Sequence, residues 1–105
     1  MTDPKIIVAL DTFNPDEANL ILNQLDSNLC KIKIGSIAFN ALGKSFLQSV
    51  AERGFKIFLD LKFHDIPNTV QETILGFADC SIDMLTVHLS GGEKMLDQAL
   101  IAAQK

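Results

Sequence analysis

Four short β-rich runs, Lys5–Leu10, Cys30–Ile34, Lys56–Leu61 and Asp83–His88, recur about every 25–28 residues, and apolar residues at helical spacing fill the stretches between them. This repeat constrains the chain more than any other feature. Successive βα units of this length imply a parallel sheet with right-handed crossovers, either open and doubly wound or part of a (β/α)8 barrel. The period alone does not choose between the two. A complete barrel needs ~250 residues, so on the barrel reading a chain of 105 residues holds about half of one.

The helical stretches carry their own punctuation. Asn14-Pro15-Asp16-Glu17 supplies an N-cap, a first-turn proline and a glutamate at the capping-box position, followed by Ala18, Ile21, Leu22 and Leu25 on one face. A second helix is predicted from about Ile37 to Arg53, with Phe39, Leu42, Phe46, Leu47 and Val50 aligned and Gly54 placed to end it. The third starts near Pro67 and aligns Val70, Ile74, Phe77 and Ala78. The fourth follows Gly91-Gly92 and aligns Leu96, Ala99, Leu100 and Ala103. No linker or low-complexity stretch interrupts the series, so residues 1–105 read as a single segment, and the lack of a polar tail after Lys105 fits a sequence that stops in mid-fold.

Composition narrows the class. With 48% hydrophobic and 21% charged residues and three prolines, the chain has the apolar content for a core and lacks the signature of disorder. The apolar run Ile6 to Leu10, which no other run exceeds, is far short of the ~20 residues of a membrane span, and Met1-Thr2-Asp3-Pro4 lacks the basic start and apolar body of a signal peptide. A cytoplasmic protein that does not engage a membrane is expected. A net charge of −4 with dispersed lysines argues against nucleic acid as a partner. Cys30 and Cys80 show neither CxxC nor zinc-finger spacing and are expected to be buried, reduced thiols.

In parallel βα folds, ligand and catalytic groups gather at the carboxyl ends of the strands. All four ends here are polar: Asp11 closes the first run, Lys33 lies between Ile32 and Ile34, Asp60-Leu61-Lys62 closes the third and Thr86-Val87-His88 the fourth. Strand alternation puts Asp60 and Lys62 on one face and turns Lys33 away from the helices. An arbitrary Asp-x-Lys is usually a solvated pair of little consequence. In strands that should be continuously apolar, however, ionisable groups are costly unless paired. Asp11, Lys33, Asp60, Lys62 and Asp65 are therefore expected to form an alternating chain of fixed charges. His88, with no identified partner, reads better as a packed, hydrogen-bonded residue than as a general acid or base, and His64 as a surface residue. Gly91-Gly92 fits equally a phosphate cradle and a tight turn.

The string Phe58-Leu59-Asp60-Leu61-Lys62-Phe63-His64-Asp65-Ile66-Pro67-Asn68-Thr69-Val70 resembles the signature of the orotidine 5′-phosphate decarboxylase family, Asp-x-Lys-x-x-Asp-Ile-Pro-x-Thr. The likeness extends to Ile7-Val8-Ala9-Leu10-Asp11, Lys31-Ile32-Lys33-Ile34-Gly35 and Val87-His88-Leu89-Ser90-Gly91-Gly92, and so covers essentially the whole chain. It implies the N-terminal half of a (β/α)8 TIM barrel from a dimeric enzyme of UMP biosynthesis. That enzyme removes the carboxylate of orotidine 5′-monophosphate without metal or organic cofactor. By the motif, Lys62 would protonate C6, Asp60 would sit against the leaving carboxylate, Lys33 would link Asp60 to the ribose hydroxyls, and Asp11 would bind a ribose hydroxyl. Asp65, Ile66 and Thr69 would reach into the partner subunit's site, with Asp65 completing its charge network.

The family holds phosphate on loops after the seventh and eighth strands, which a chain ending near a fourth helix does not include. The isolated chain is accordingly expected to be an incomplete, inactive fragment. Two other readings share features with the sequence. Metal-dependent 3-keto-L-gulonate 6-phosphate decarboxylases and hexulose-phosphate synthases have the Asp-x-Lys-x-x-Asp motif, but an acid where this chain has Lys33, and a protonated lysine is no magnesium ligand. A phospho-receiver domain has aspartates after its first and third strands, loosely matched by Asp11 and Asp60, but needs a second acid where Thr12 stands.

Overall fold

The computed structural model describes residues 3–104. Strand and helix alternate: β1 (Ile6–Ala9), α1 (Pro15–Asn23), β2 (Cys30–Gly35), α2 (Ser36–Glu52), β3 (Ile57–Phe63), α3 (Pro67–Leu75), β4 (Ile82–Val87), a 3-10 turn (Leu89–Gly91) and α4 (Glu93–Ala103). The strands form one parallel sheet in the order β1-β2-β3-β4, with Ile6 beside Cys30, Ile32 beside Ile57, and Ile57 beside Ile82.

That order decides between the two architectures the repeat allows. A doubly wound sheet reverses strand order at a switch point, whereas here every strand lies beside its predecessor, as the wall of a (β/α)8 barrel requires. The phospho-receiver reading falls with the doubly wound sheet.

One face of the sheet is the core. Ile32 and Ile34 on β2 and Ile57 and Leu59 on β3 are wholly buried against Ala18 and Leu22 of α1 and Phe46, Leu47 and Val50 of α2. Truncating any of these large residues to alanine costs about 2–5 kcal/mol. By alternation, Lys31, Lys33, Phe58 and Asp60 face the other side, which becomes the interior when a sheet of this kind closes. A second core joins Val70 and Ile74 of α3 to Met95, Ala99 and Ala102 of α4, with Phe63 and Leu85 leaning on it. Cys30 and Cys80 are free and buried, as expected, and burial raises both thiol pKa values.

Several local expectations change. Asn14 caps α1 by accepting the N–H groups of Asp16 (2.9 Å) and Glu17 (3.3 Å), but the reciprocal arm of the capping box is taken by Thr12, whose Oγ1 accepts the Asn14 N–H at 3.1 Å. Thr12 is buried, whereas Glu17 is exposed. Within α2, Gly43 adopts φ 74°, a left-handed conformation that kinks the helix and that a side chain would resist. On α4 the buried stripe is Met95, Ala99 and Ala102 rather than Leu96, Ala99, Leu100 and Ala103, and Leu100 remains 59% exposed. The small Ala99 and Ala102 let α4 lie close on α3, which rotates the bulkier Leu100 outward. Gly91 serves this seating directly: a Cβ there would collide with the Met95 side chain and crowd the His64 ring. Gly91 therefore has a packing role and Gly92, at φ 91°, a turn role.

Candidate active site

The carboxyl ends of β2, β3 and β4 bring four of the polar residues together. Both oxygens of the Asp60 carboxylate accept from the Lys62 ammonium, at 2.9 and 3.0 Å, and Lys33 Nζ lies 3.6 Å from Asp60 Oδ2. Thr86 adds a third contact, donating its hydroxyl to Asp60 Oδ1 at 2.7 Å. The hydrogen bond from Lys62, followed by that from Thr86 and the nearby charges, holds the Asp60 carboxyl below the usual range and outweighs the opposing effect of burial. Its side chain is 12% exposed, while those of Lys33 and Lys62 are 34% and 64% exposed. The acid is thus enclosed and the two ammonium groups project past it.

Lys62 reaches this position through an irregular backbone. Between the pairs Leu59–Leu85 and Phe63–Val87, the stretch Asp60-Leu61-Lys62 lies opposite Thr86 alone, a bulge in the β3–β4 ladder. At its apex Lys62 has φ 51°, a left-handed conformation costing about 1–2 kcal/mol for a residue with a Cβ. The Thr86 hydroxyl accepts the Lys62 N–H at 3.0 Å and so offsets part of that strain. The Asp60–Lys62 pair predicted from strand alternation is present, but a bulge makes it.

The five-membered charge chain is shorter than expected. Among the described residues, Asp11 and Asp65 make no ion pair with Lys33, Asp60 or Lys62. Asp11 is exposed beyond the end of β1, where Leu10 N–H still bonds to Lys33 C=O, and Asp65 turns its carboxylate onto the Ile66 N–H at 2.7 Å. Asp65, Ile66 and Thr69 all lie exposed at the start of α3. Ile66 is 65% exposed, and Phe13, Ile37 and Leu89, each in the segment following another strand, are 54–78% exposed. His64 is exposed, as predicted, and stacks on His88 with ring centroids 4.9 Å apart. His88 Nδ1 accepts the Ser90 N–H at 3.3 Å and lies 2.6 Å from Ser90 Oγ, capping the 3-10 turn; the ring is hydrogen-bonded but exposed. Among the described residues no group of three or more His, Cys, Asp or Glu side chains gathers around a point where a metal ion could sit.

Thr86 is the site residue the sequence did not single out. Its signal was present: a hydroxyl on the mostly apolar strand Ile82–Val87, one strand over from Asp60. Its contacts depend on a bulge that alternation does not reveal.

Comparison with known proteins agrees with this geometry. Orotidine 5′-phosphate decarboxylases of Actinobacillus succinogenes and Legionella pneumophila are 46% and 49% identical over 97 and 96 residues, respectively 92% and 91% of this chain. The chain spans 42% of the length of each of these relatives. The crystal structure of orotidine 5′-phosphate decarboxylase from Lactobacillus acidophilus superposes with a TM-score of 0.85 at 40% identity, over 95% of this chain and 46% of that one. The Methanocaldococcus jannaschii enzyme, complexed with the inhibitor BMP, shares the fold with a TM-score of 0.85 at 24% identity, over 96% of this chain and 47% of that one. The four βα units are thus those of a half-barrel. Residues 4–105 match the profile of the orotidine 5′-phosphate decarboxylase / HUMPS family, and the chain belongs to that family.

Proposed function

We propose that residues 1–105 form one segment of a single (β/α)8 domain and supply the catalytic charges of an orotidine 5′-phosphate decarboxylase acting in cytoplasmic pyrimidine biosynthesis. The observation that carries this reading is the Lys33–Asp60–Lys62 cluster, an enclosed carboxylate flanked by two projecting ammonium groups. In the reaction, the bond between C6 and the carboxylate breaks, CO2 leaves and the electron pair stays at C6. The Lys62 ammonium stabilises that developing carbanion and transfers a proton to it, giving UMP, and the resulting amine regains a proton from solvent. Asp60 holds Lys62 in place through both carboxylate oxygens and lies against the departing carboxylate. Lys33 bridges Asp60 to the ribose hydroxyls, and Asp11, exposed at the adjacent strand end, binds a ribose hydroxyl.

The same reading makes the enzyme a homodimer with shared sites. Asp65, Ile66 and Thr69 project from the start of α3 into the partner's site, and the exposed apolar residues Phe13, Ile37, Ile66 and Leu89 supply surface for that contact. No metal takes part in this chemistry. A magnesium-dependent phosphosugar reaction within the same family is the second reading, and Lys33 speaks against it, because a protonated amine repels a divalent cation.

The test uses a completed barrel, made by joining residues 1–105 to the part of a relative that this chain does not match. Ultraviolet detection of orotidine 5′-monophosphate loss in the presence of EDTA should show turnover, and absence of turnover there would count against the reading. The 105-residue chain alone should be inactive and self-associate. Among the described residues β1 and β4 each pair on one side only, and Ile6 and Ile7 on β1 are 62% and 42% exposed. Light scattering that found a well-behaved, active monomer would refute the half-barrel account.

A further inference from the structure

We propose that Thr86 is the positioning residue of the site, its single hydroxyl fixing both the backbone turn that aims Lys62 and the carboxylate that receives the Lys62 ammonium. This inference rests on the decarboxylase reading and assigns a role to a residue outside the signature motif. The hydrogen-bond directions follow from valence. A hydroxyl has one proton and two acceptor lone pairs, a backbone N–H only donates, and an ionised carboxylate only accepts. The Lys62 N–H therefore donates to Thr86 Oγ1 at 3.0 Å, and the hydroxyl proton goes to Asp60 Oδ1 at 2.7 Å.

Each bond restrains a different freedom. The first ties the bulge of β3 to β4 at the residue whose φ of 51° a lysine would otherwise leave for the extended region. The second stops rotation of the Asp60 carboxylate, whose two oxygens receive Lys62 at 2.9 and 3.0 Å while Lys33 stands 3.6 Å from Oδ2. Neither bond involves the substrate, so Thr86 acts through Lys62 and Asp60. Losing it should move the proton donor without removing it, a displacement felt in the chemical step more than in binding.

Two substitutions separate this role from packing. Thr86→Val keeps the shape and β-branching but removes both hydrogen bonds, whereas Thr86→Ser keeps the hydroxyl and loses a methyl group. In the completed barrel, Thr86→Val should lower kcat about 10–100-fold with KM changed less than about threefold, and Thr86→Ser should recover most of the loss. A packing role predicts the opposite order, with valine near wild type and serine impaired, and that result would overturn the proposal. Hydrogen exchange on the unsubstituted protein reads the same contact without any variant. The Lys62 amide belongs to an exposed residue and should nonetheless be protected at least about tenfold relative to an open peptide amide. A freely exchanging amide would overturn the positioning role even if Thr86→Val fails to fold. Turnover by the unsubstituted protein is scored separately: its absence strikes the decarboxylase reading, while amide exchange still reports on the Thr86 tether.

Discussion

The two ends of the sheet carry similar sets of charges arranged in opposite senses. At the amino end, Lys31 is enclosed, its side chain 7% exposed, and it pairs with Asp83 at 2.7 Å and Asp3 at 3.0 Å, while Lys56 holds the other oxygen of Asp3 at 2.7 Å. There the cation is inside and Asp3 lies 58% exposed. At the carboxyl end the acid is inside, with Asp60 12% exposed between Lys33 and Lys62. Lys31 and Lys33 share one face of β2, two residues apart, so strand geometry does not separate them. What differs is what remains unspent. The Lys31 ammonium has an acid on either side and presents little surface, whereas the carboxyl-end lysines divide one carboxylate between them and keep donors for something else. An anionic ligand would be attracted to the second arrangement and gain little from the first.

If that contrast is sound, Lys62→Ala in the completed barrel should have the largest effect of any change at either end. On the proposed roles it removes the proton donor and the nearest positive charge, so kcat should fall by at least about a thousandfold while a UMP-like inhibitor still binds. Retention of more than about a tenth of kcat, a loss below ~1.4 kcal/mol, would break the assignment. The next largest effect is a recovery. Lys62→Ala and Asp65→Ala subunits, each inactive, should regain about a quarter of wild-type activity when mixed, because in the proposed dimer half the pairs are mixed and one site in each receives both native residues. No recovery despite demonstrated subunit exchange would remove Asp65 from the shared site.

Lys31→Met tests the amino end. It keeps the aliphatic bulk of the enclosed side chain but leaves Asp83 and Asp3 without their shared partner. The melting temperature should drop by several degrees with kcat unchanged. A change in kcat comparable to that of Lys62→Ala would mean that the two ends are coupled, and would erase the distinction drawn between them.

The residues at these two ends also show what a sequence discloses. Hydrophobic periodicity located all four strands to within two residues, because buried strands and amphipathic helices follow the regular geometry of the backbone. The barrel itself needed the strand order, which periodicity does not encode. Asp60, Lys62 and Lys33 were legible as charges in apolar strands, a pattern that is costly without partners. Asp11 and Asp65 carried the same signal, yet among the described residues they make no ion pair with that cluster, since loop direction rather than strand register places them. Thr86 was legible as a polar residue at a strand end, but its contacts were not, because they arise from a bulge and one left-handed lysine. Lys31 was hidden for a related reason: its pairs run to Asp3 and Asp83, 28 and 52 residues away in the chain.

The smallest expected effect lies in acid. Hydrogen bonds from Lys56 and then Lys31 lower the Asp3 carboxyl from the ordinary 3.8 to about 2. Because this pKa is lower in the folded than in the unfolded chain, the pair's contribution to stability is complete above about pH 4 and lost as pH falls toward 2. Asp3→Asn should therefore match the wild-type melting temperature more closely at pH 2 than at pH 6. Asp60, also depressed, loses its contribution in acid in the same direction, but salt distinguishes the two ends. Asp3 is exposed and its pair with the exposed Lys56 is open to counterions, so raising the ionic strength to about 1 M, where the screening length is ~3 Å, should shrink the difference between wild type and Asp3→Asn. The enclosed Asp60 carboxylate should be screened less, so the acid dependence lost in an Asp60→Asn variant should persist in salt. Equal sensitivity to salt at both ends would mean that the carboxyl-end acid is as open to solvent as the amino-end one, and the inversion of inside and outside charge would no longer explain why one end is suited to a ligand.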